Sequence, residues 1–268
     1  MTEHLSFHDR VTVEVTDGVA DVRLDRPDKL NAMDGPLFDA LVEAADTLAG
    51  DTSLRAVVLS GNGRAWCAGL DFSGFQAMAG AGDGATTSKL GQVAEGRITH
   101  HAQQAVWGWH ELPVPVIAAV HGIAYGAGAQ LAIGCDVRIM HPDVRFALLE
   151  IRWGITPDMT GTQLLPRLVG PDVAKELIWT GREVNGDEAL RIGLATHVDD
   201  EPRQAALELA RTIASKNPHA IRAGKRLVDA AAVGDLAAGF ALEREEIGAL
   251  IGTPNQVEAV TAFFEKRD

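Results

Sequence analysis

One apolar run, Val114 to Val120, constrains the fold of this chain more than any other stretch. Its length and β-branched content suit a strand buried on both faces, and such strands belong to parallel sheets covered on either side. Gly122, Gly126 and Gly128 follow, where the backbone can bend and come close to a ligand without a Cβ in the way. Ala129-Gln130-Leu131-Ala132-Ile133 then supplies helix formers, so the turn becomes a helix start. A helix start leaves amide donors unpaired at the positive end of the dipole, a ready place for a negative oxygen. A second apolar stretch, Val137 to Met140, leads on to two carboxylates, Glu150 and Asp158, with Trp153 and Gly154 between them. A place for an oxyanion followed by two acid/base groups is the pattern of an active site.

The remaining segments are consistent with an α/β enzyme. Val11, Val13 and Val15 alternate with polar residues, Asp17-Gly18 makes a turn, and Ala20, Val22 and Leu24 alternate again, which predicts a hairpin. A polar loop, Arg26 to Met33, precedes a helix signalled by Asp34 and Pro36, with Leu37, Leu41, Ala44 and Leu48 on one face. Ala56 to Leu59 reads as a short buried strand that delivers the chain into a second small-residue junction, Ser60 to Phe72. The glycine- and alanine-rich segment from Gly74 to Gly96 reads as an active-site lid or equally as a tolerated surface loop. A helix is expected from Arg97 to Glu111; its His100, His101 and His110 lack a complementary ligand cluster, so no metal site is expected. From Pro202 onward strand signals vanish, and Ala206, Leu209 and Ile213 fall at helical spacing.

Composition removes several function classes. The formal charge of −13 argues against general electrostatic binding of nucleic acid. No apolar segment is long enough to span a membrane, and MTEHLSFHDR lacks the apolar core of a signal peptide, so a soluble cytoplasmic protein is expected. Cys67 and Cys135 lie far apart and outside any CxxC pair, which speaks against a disulfide framework or a zinc site.

Four segments taken together resemble the crotonase (enoyl-CoA hydratase/isomerase) superfamily: RPDKLNAM from Arg26, RAWCAGLDF from Arg64, PVIAAVHGIAYGAGAQLAIGCD from Pro115 and RFALLEIRWGITPDMTGTQLLPRLVG from Arg145. TGREVNGDEALRIGLATHV from Thr180 and the terminal TAFFEKR also fit, so the likeness spans nearly the whole chain in order. The resemblance implies an α/β crotonase-like spiral of ββα repeats over residues 1–198, holding the CoA and active sites. It also implies a helical C-terminal trimerisation region over residues 199–268, in a homotrimer or dimer of trimers. Its substrates are acyl-CoA thioesters, with coenzyme A part of the substrate and no prosthetic group.

Carried over by position, the amides of Leu70 and Ala127 would hold the thioester oxygen as the enolate forms; relatives commonly have glycine where Ala127 stands. Arg26, Lys29 and Arg64 lie in segments that contact the CoA nucleotide in relatives, and Lys266 in the terminal FEKR resembles one that reaches a phosphate, although each reads equally as an ordinary surface cation. Backbone around Ala65, Trp66 and Ala68 would hold the adenine end, with the Trp66 ring either stacking or packing.

Hydratases of the family hold water between two glutamates, and here the first position is Gln130 and the second Glu150. Glutamine hydrogen-bonds but does not shuttle protons near neutral pH, so an isomerase is expected over a hydratase. Asp158, eight residues after Glu150, resembles the acid pair of dienoyl-CoA isomerases, although those usually carry a third carboxylate where Gln130 stands. In that reading Asp158 is the base and Gln130 orients. A haloaryl-CoA dehalogenase would use Asp158 as nucleophile but generally has an aromatic residue in place of Glu150. A non-catalytic CoA-binding scaffold would explain Gln130 and Ala127 but not the retention of both acids.

Overall fold

The computed structural model of the chain describes residues 3–71, 89–93 and 95–267. Most of the segment read as a lid lies outside those residues. The predicted hairpin forms from β2 (Val11–Thr16) and β3 (Val19–Leu24), with Thr16 paired to Val19. Its two-residue turn has φ of +51° at Asp17 and +77° at Gly18, the double positive φ that matches the twist of a tight hairpin. A strand not read from sequence, β1 (Glu3–Phe7), pairs antiparallel with β2 at the sheet edge.

Parallel strands complete the large sheet: β4 (Ala56–Gly61), β5 (Val116–Val120), β7 (Val137–Met140) and β9 (His197–Val198), in the order β1-β2-β3-β4-β5-β7-β9. Two short strands, β6 (Ile123–Tyr125) and β8 (Arg145–Ala147), pair parallel with each other outside it. The continuous apolar runs are explained by burial on both faces. Val57, Leu59, Ala118 and Val120 point into the main core, whereas Ala56, Val58, Ile117 and Ala119 point into a second cluster on the opposite face.

Helix α1 (Gly35–Ala49) covers the main face, its start fixed by Asp34, whose Oδ1 accepts the Leu37 amide at 3.0 Å. Helix α2 (His101–Glu111) begins later than Arg97, because His100 caps it: Nδ1 accepts from the Gln103 amide, and the Gln103 side chain accepts from the His100 amide. Beyond these come α3 (Ala127–Ile133), α4 (Gly161–Val169), α5 (Pro171–Thr180), α6 (Gly186–Arg191), α7 (Pro202–Ala214), α8 (Pro218–Ala231), α9 (Leu236–Leu250) and α10 (Pro254–Glu265). Helix α7 covers the second sheet face through Ala206 and Ala210, and Arg203 on it pairs with the buried Asp21 of β3.

A second layer of short pairings runs alongside the sheet. Met33 pairs with Leu70, Cys67 with Ala124, and β6 with β8, all parallel. After β3, β4, β5 and β7 in turn, the chain therefore leaves the sheet, adds one short pairing to the neighbouring coil and enters a helix. That repetition is the ββα spiral, and it stacks the junctions at the carboxyl ends of β4 and β5 against each other.

Candidate active site

Asn31 shapes the first junction. It is fully buried with φ +55°; its side-chain amide donates to the carbonyls of Ala65 at 2.8 Å and Asn62 at 3.0 Å, and its Oδ1 accepts from the Arg26 amide at 2.8 Å. This joins the Arg26–Met33 loop to the loop after β4. Farther on, the Met33 amide donates to Gly69 O at 2.7 Å and the Asp71 amide to Met33 O at 2.9 Å. Parallel pairing uses the groups on either side of Leu70, so the Leu70 N–H points the other way.

At the second junction Gly126 has φ +50° and donates to Ala147 O at 2.9 Å, and Ala127 opens α3. The unusual backbone falls on Gly126, not Ala127, so a Cβ is tolerated at Ala127. Gly69, at φ +92°, brings the junctions together: a Cβ there would sit 2.7 Å from Tyr125 O and 3.8 Å from the Ala127 nitrogen. Among the described residues the amides of Leu70 and Ala127 have no hydrogen-bond acceptor.

Glu150 opens a 3-10 turn, Glu150–Trp153, and is only 8% exposed. Its Oε1 accepts from Gln130 Nε2 at 2.7 Å, whereas Oε2 is buried with no partner among the described residues. Oε1 also lies 3.5 Å from where a Cβ on Gly126 would be, placing the carboxyl against the glycine that precedes the Ala127 amide. Burial raises the Glu150 pKa; the Gln130 hydrogen bond opposes this and the Asp158 charge adds to it.

The sequence led us to expect both acids in apolar surroundings, and this holds for Glu150 alone. Asp158 is exposed, as are Trp153 and Ile155, because the segment after the 3-10 turn runs as surface loop rather than packed strand. Enough protein still surrounds Asp158 for burial to raise its pKa, against the pull of His100. His100 is a site neighbour that sequence reasoning treated only as a metal candidate.

Gln130 is 1% exposed, and its Oε1 accepts the amides of Met159 at 2.8 Å and Gly161 at 3.1 Å. One side chain thus touches Glu150 and the loop that carries Asp158.

The cation set is divided. Arg26 Nη1 donates to Asp71 Oδ2 at 2.7 Å and to Ala32 O at 2.9 Å, which commits this guanidinium to the loop. Lys29 and Arg64 are exposed, on loops that touch where a Cβ on Gly63 would meet Pro27 Cβ at 2.7 Å. Lys266 is exposed at the end of α10. The Trp66 ring cannot stack on a ligand: it is fully buried and donates from Nε1 to Gly128 O at 2.8 Å, tying the first junction to α3. Ala65 is buried, and the Ala68 amide donates to Leu30 O at 2.9 Å.

Away from this site, ligand atoms of His110, Asp136 and Asp229 lie within 4.8 Å of one another. Lys225 Nζ sits 2.7 Å from Asp136 Oδ2 and already supplies a positive charge there. Among the described residues no helix is long and apolar enough to cross a membrane.

Two junction amides without an acceptor among the described residues, beside a buried carboxyl, suit stabilisation of an oxyanion next to proton transfer. Residues 14–268 match the family described as enoyl-CoA hydratase/isomerase. The chain belongs to that family. It is 36% identical over 261 residues to the short-chain-enoyl-CoA hydratase of Clostridium acetobutylicum, covering 96% of this chain and 95% of the relative. It is 33% identical to the mitochondrial methylglutaconyl-CoA hydratase of Mus musculus, covering 93% of this chain and 78% of that one. The crystal structure of an enoyl-CoA hydratase from Bacillus anthracis superposes with a TM-score of 0.84 at 32% identity, covering 96% of this chain and 97% of the other. The α/β spiral is thus the crotonase fold, and family members of this kind act on CoA thioesters.

Proposed function

We propose that this chain is an acyl-CoA isomerase that moves a carbon–carbon double bond through a thioester enolate. The observation that carries the reading is the Gln130–Glu150 pair: one buried carboxyl, with an amide and not a second acid at its side. In this mechanism the Leu70 and Ala127 amides receive the thioester oxygen as negative charge develops; losing such a donor costs about 10²–10³ in rate. Asp158, the more exposed acid, takes the proton next to the thioester carbonyl. Glu150, whose hold on a proton burial strengthens, returns one farther along the acyl chain. Because Gln130 donates to Oε1, a proton on Glu150 is carried by Oε2, the oxygen without a partner among the described residues. Lys29, Arg64 and Lys266 meet CoA phosphates, while Arg26 shapes the loop that presents them. Residues 199–268 supply contacts of a homotrimer or dimer of trimers, although α7 also belongs to the core.

A hydratase is the second reading, favoured by the names of the relatives. The test is to incubate the protein with 2-enoyl-, 3-enoyl- and 3,5-dienoyl-CoA and follow ultraviolet absorbance. Conversion of the 3-enoyl or dienoyl thioester with little loss of the 2-enoyl thioester is the expected result. Hydration of the 2-enoyl substrate with no change in the others would overturn the proposal.

A further inference from the structure

We infer that Thr160 is a positioning residue for Asp158, a buried wedge held in an unfavourable backbone conformation that fixes the turn carrying this acid. The kinetic part of this inference rests on the isomerase reading, and the structural part does not. Residues 151–156 are all exposed. Burial resumes at Pro157, lapses at Asp158 and returns at Met159 and Thr160, which are 4% and 8% exposed. The exposed acid is therefore placed by the buried residues on either side of it.

Thr160 combines three unfavourable features. It is β-branched at φ +73° and ψ −14°, a region such residues occupy only where their surroundings over-determine it. It stands at the N-cap of α4, where a threonine hydroxyl ordinarily accepts a helix amide, yet its side chain makes no cap bond. The hydroxyl is instead buried with no partner among the described residues. The Thr160 carbonyl still accepts from the amides of Gln163 at 2.9 Å and Leu164 at 3.2 Å, so it is the side chain alone that has forgone the cap. Costs of this kind concentrate where a fixed geometry serves function.

The left-handed φ turns the amides on both sides of Thr160, those of Met159 and Gly161, onto one acceptor, Gln130 Oε1, at 2.8 and 3.1 Å. Amides flanking a left-handed residue converge in this way to form a nest. Glycine at 160 would reach the same φ, but it would reach other regions as readily and leave the turn free to rearrange. A buried branched side chain is stiff at χ1 and removes that freedom. The Met159 amide belongs to the peptide unit that begins at Asp158, so fixing it fixes the direction in which the carboxylate leaves the chain.

The test compares wild type with Thr160→Gly, which accepts the φ but removes the wedge, and Thr160→Val, which keeps the branched shape and removes only the hydroxyl. Isomerisation of 3-enoyl-CoA gives kcat and KM, hydrogen exchange gives the protection of the Met159 and Gly161 amides, and calorimetry gives the melting temperature. Thr160→Gly should melt within about 4 °C of wild type, relief of strain offsetting the added freedom of the unfolded chain. Its Met159 and Gly161 amides should exchange about tenfold faster or more. Its kcat should fall about ten- to a hundredfold, the scale of a ~1 Å displacement of reacting groups, with KM changed less than about threefold. Thr160→Val should stay within about threefold of wild type in exchange and kcat, because the wedge remains. Wild-type kcat and exchange in Thr160→Gly would overturn the inference. So would a loss of kcat matched by a collapse in melting temperature, the mark of a merely structural residue. Thr160→Val as impaired as Thr160→Gly would overturn it as well, since the hydroxyl itself would then be the active group. Wild type silent on 3-enoyl-CoA would remove the isomerase reading alone, while amide exchange would still decide whether Thr160 fixes the turn.

Discussion

Glu150 sits where an ionised side chain is costly: buried, with one oxygen lacking a partner among the described residues. Its pKa is raised in the folded protein, so its contribution to stability is present below the ordinary carboxyl range and lost as pH rises through the raised folded value. Ionising Glu150 therefore works against folding. Glu150→Gln keeps an acceptor for Gln130 Nε2 and removes the charge. It should melt higher than wild type at neutral pH, and the difference should close as pH falls below about 4, where the unfolded carboxyl is itself protonated. Turnover should fall about 10²–10⁴-fold. Calorimetry at neutral and acidic pH checks the first claim; a gain in melting temperature that does not vary with pH would refute it.

The two amide junctions depend on how closely α3 approaches the strand before Leu70. At Gly128 a Cβ would lie 2.5 Å from Cys67 O and 2.8 Å from Cys67 Sγ, and the Gly128 carbonyl is the acceptor of the Trp66 ring. Gly128→Ala must displace the start of α3, and Ala127 moves with it. A loss of about 10²–10³ in kcat is expected, comparable to losing an oxyanion donor, with a smaller change in KM. Gly224→Ala in α8, where nothing lies within 4 Å of the new Cβ, is the control and should stabilise by about 0.5–1 kcal/mol. A Gly128→Ala enzyme with unaltered kcat would separate the junction from catalysis.

What sequence could and could not disclose follows from the same distinction between local and distant contacts. The β2–β3 hairpin, the Asp34 cap of α1 and the doubly buried β5 are legible because each depends on neighbouring residues. The edge strand β1 is not, since Glu3–Phe7 offers only Leu5 and Phe7 as apolar signals and is largely exposed. The α2 boundary was missed because histidine is an uncommon cap. Within the site, Gln130 was recognisable by its place in a motif, but its hold on Met159 and Gly161 spans 29 and 31 residues. Asn31 and Arg26 likewise reveal their internal roles only once separate loops meet.

For the molecule as a whole, the uneven burial of the C-terminal helices matters most. Helix α7 is seated on the sheet, whereas α9 and α10 contain no buried residue. Leu236, Phe240 and Ile247 on α9, and Val260, Phe263 and Phe264 on α10, are all exposed in the single chain. An exposed apolar surface of this kind calls for a covering partner, and a second copy of the chain meets the expectation of a homotrimer or dimer of trimers. Each copy carries a formal charge of −13, so apolar burial must overcome mutual repulsion when the copies associate. Salt screens that repulsion and strengthens apolar contact, so association should become more complete as ionic strength rises. Sedimentation should find trimers or hexamers, and Phe240→Asp combined with Phe264→Asp should dissociate them while far-ultraviolet dichroism keeps its helical signal. Wild type that sediments as a monomer at high salt and high concentration would show that these faces need no second copy, and the apolar residues on α9 and α10 would require another explanation.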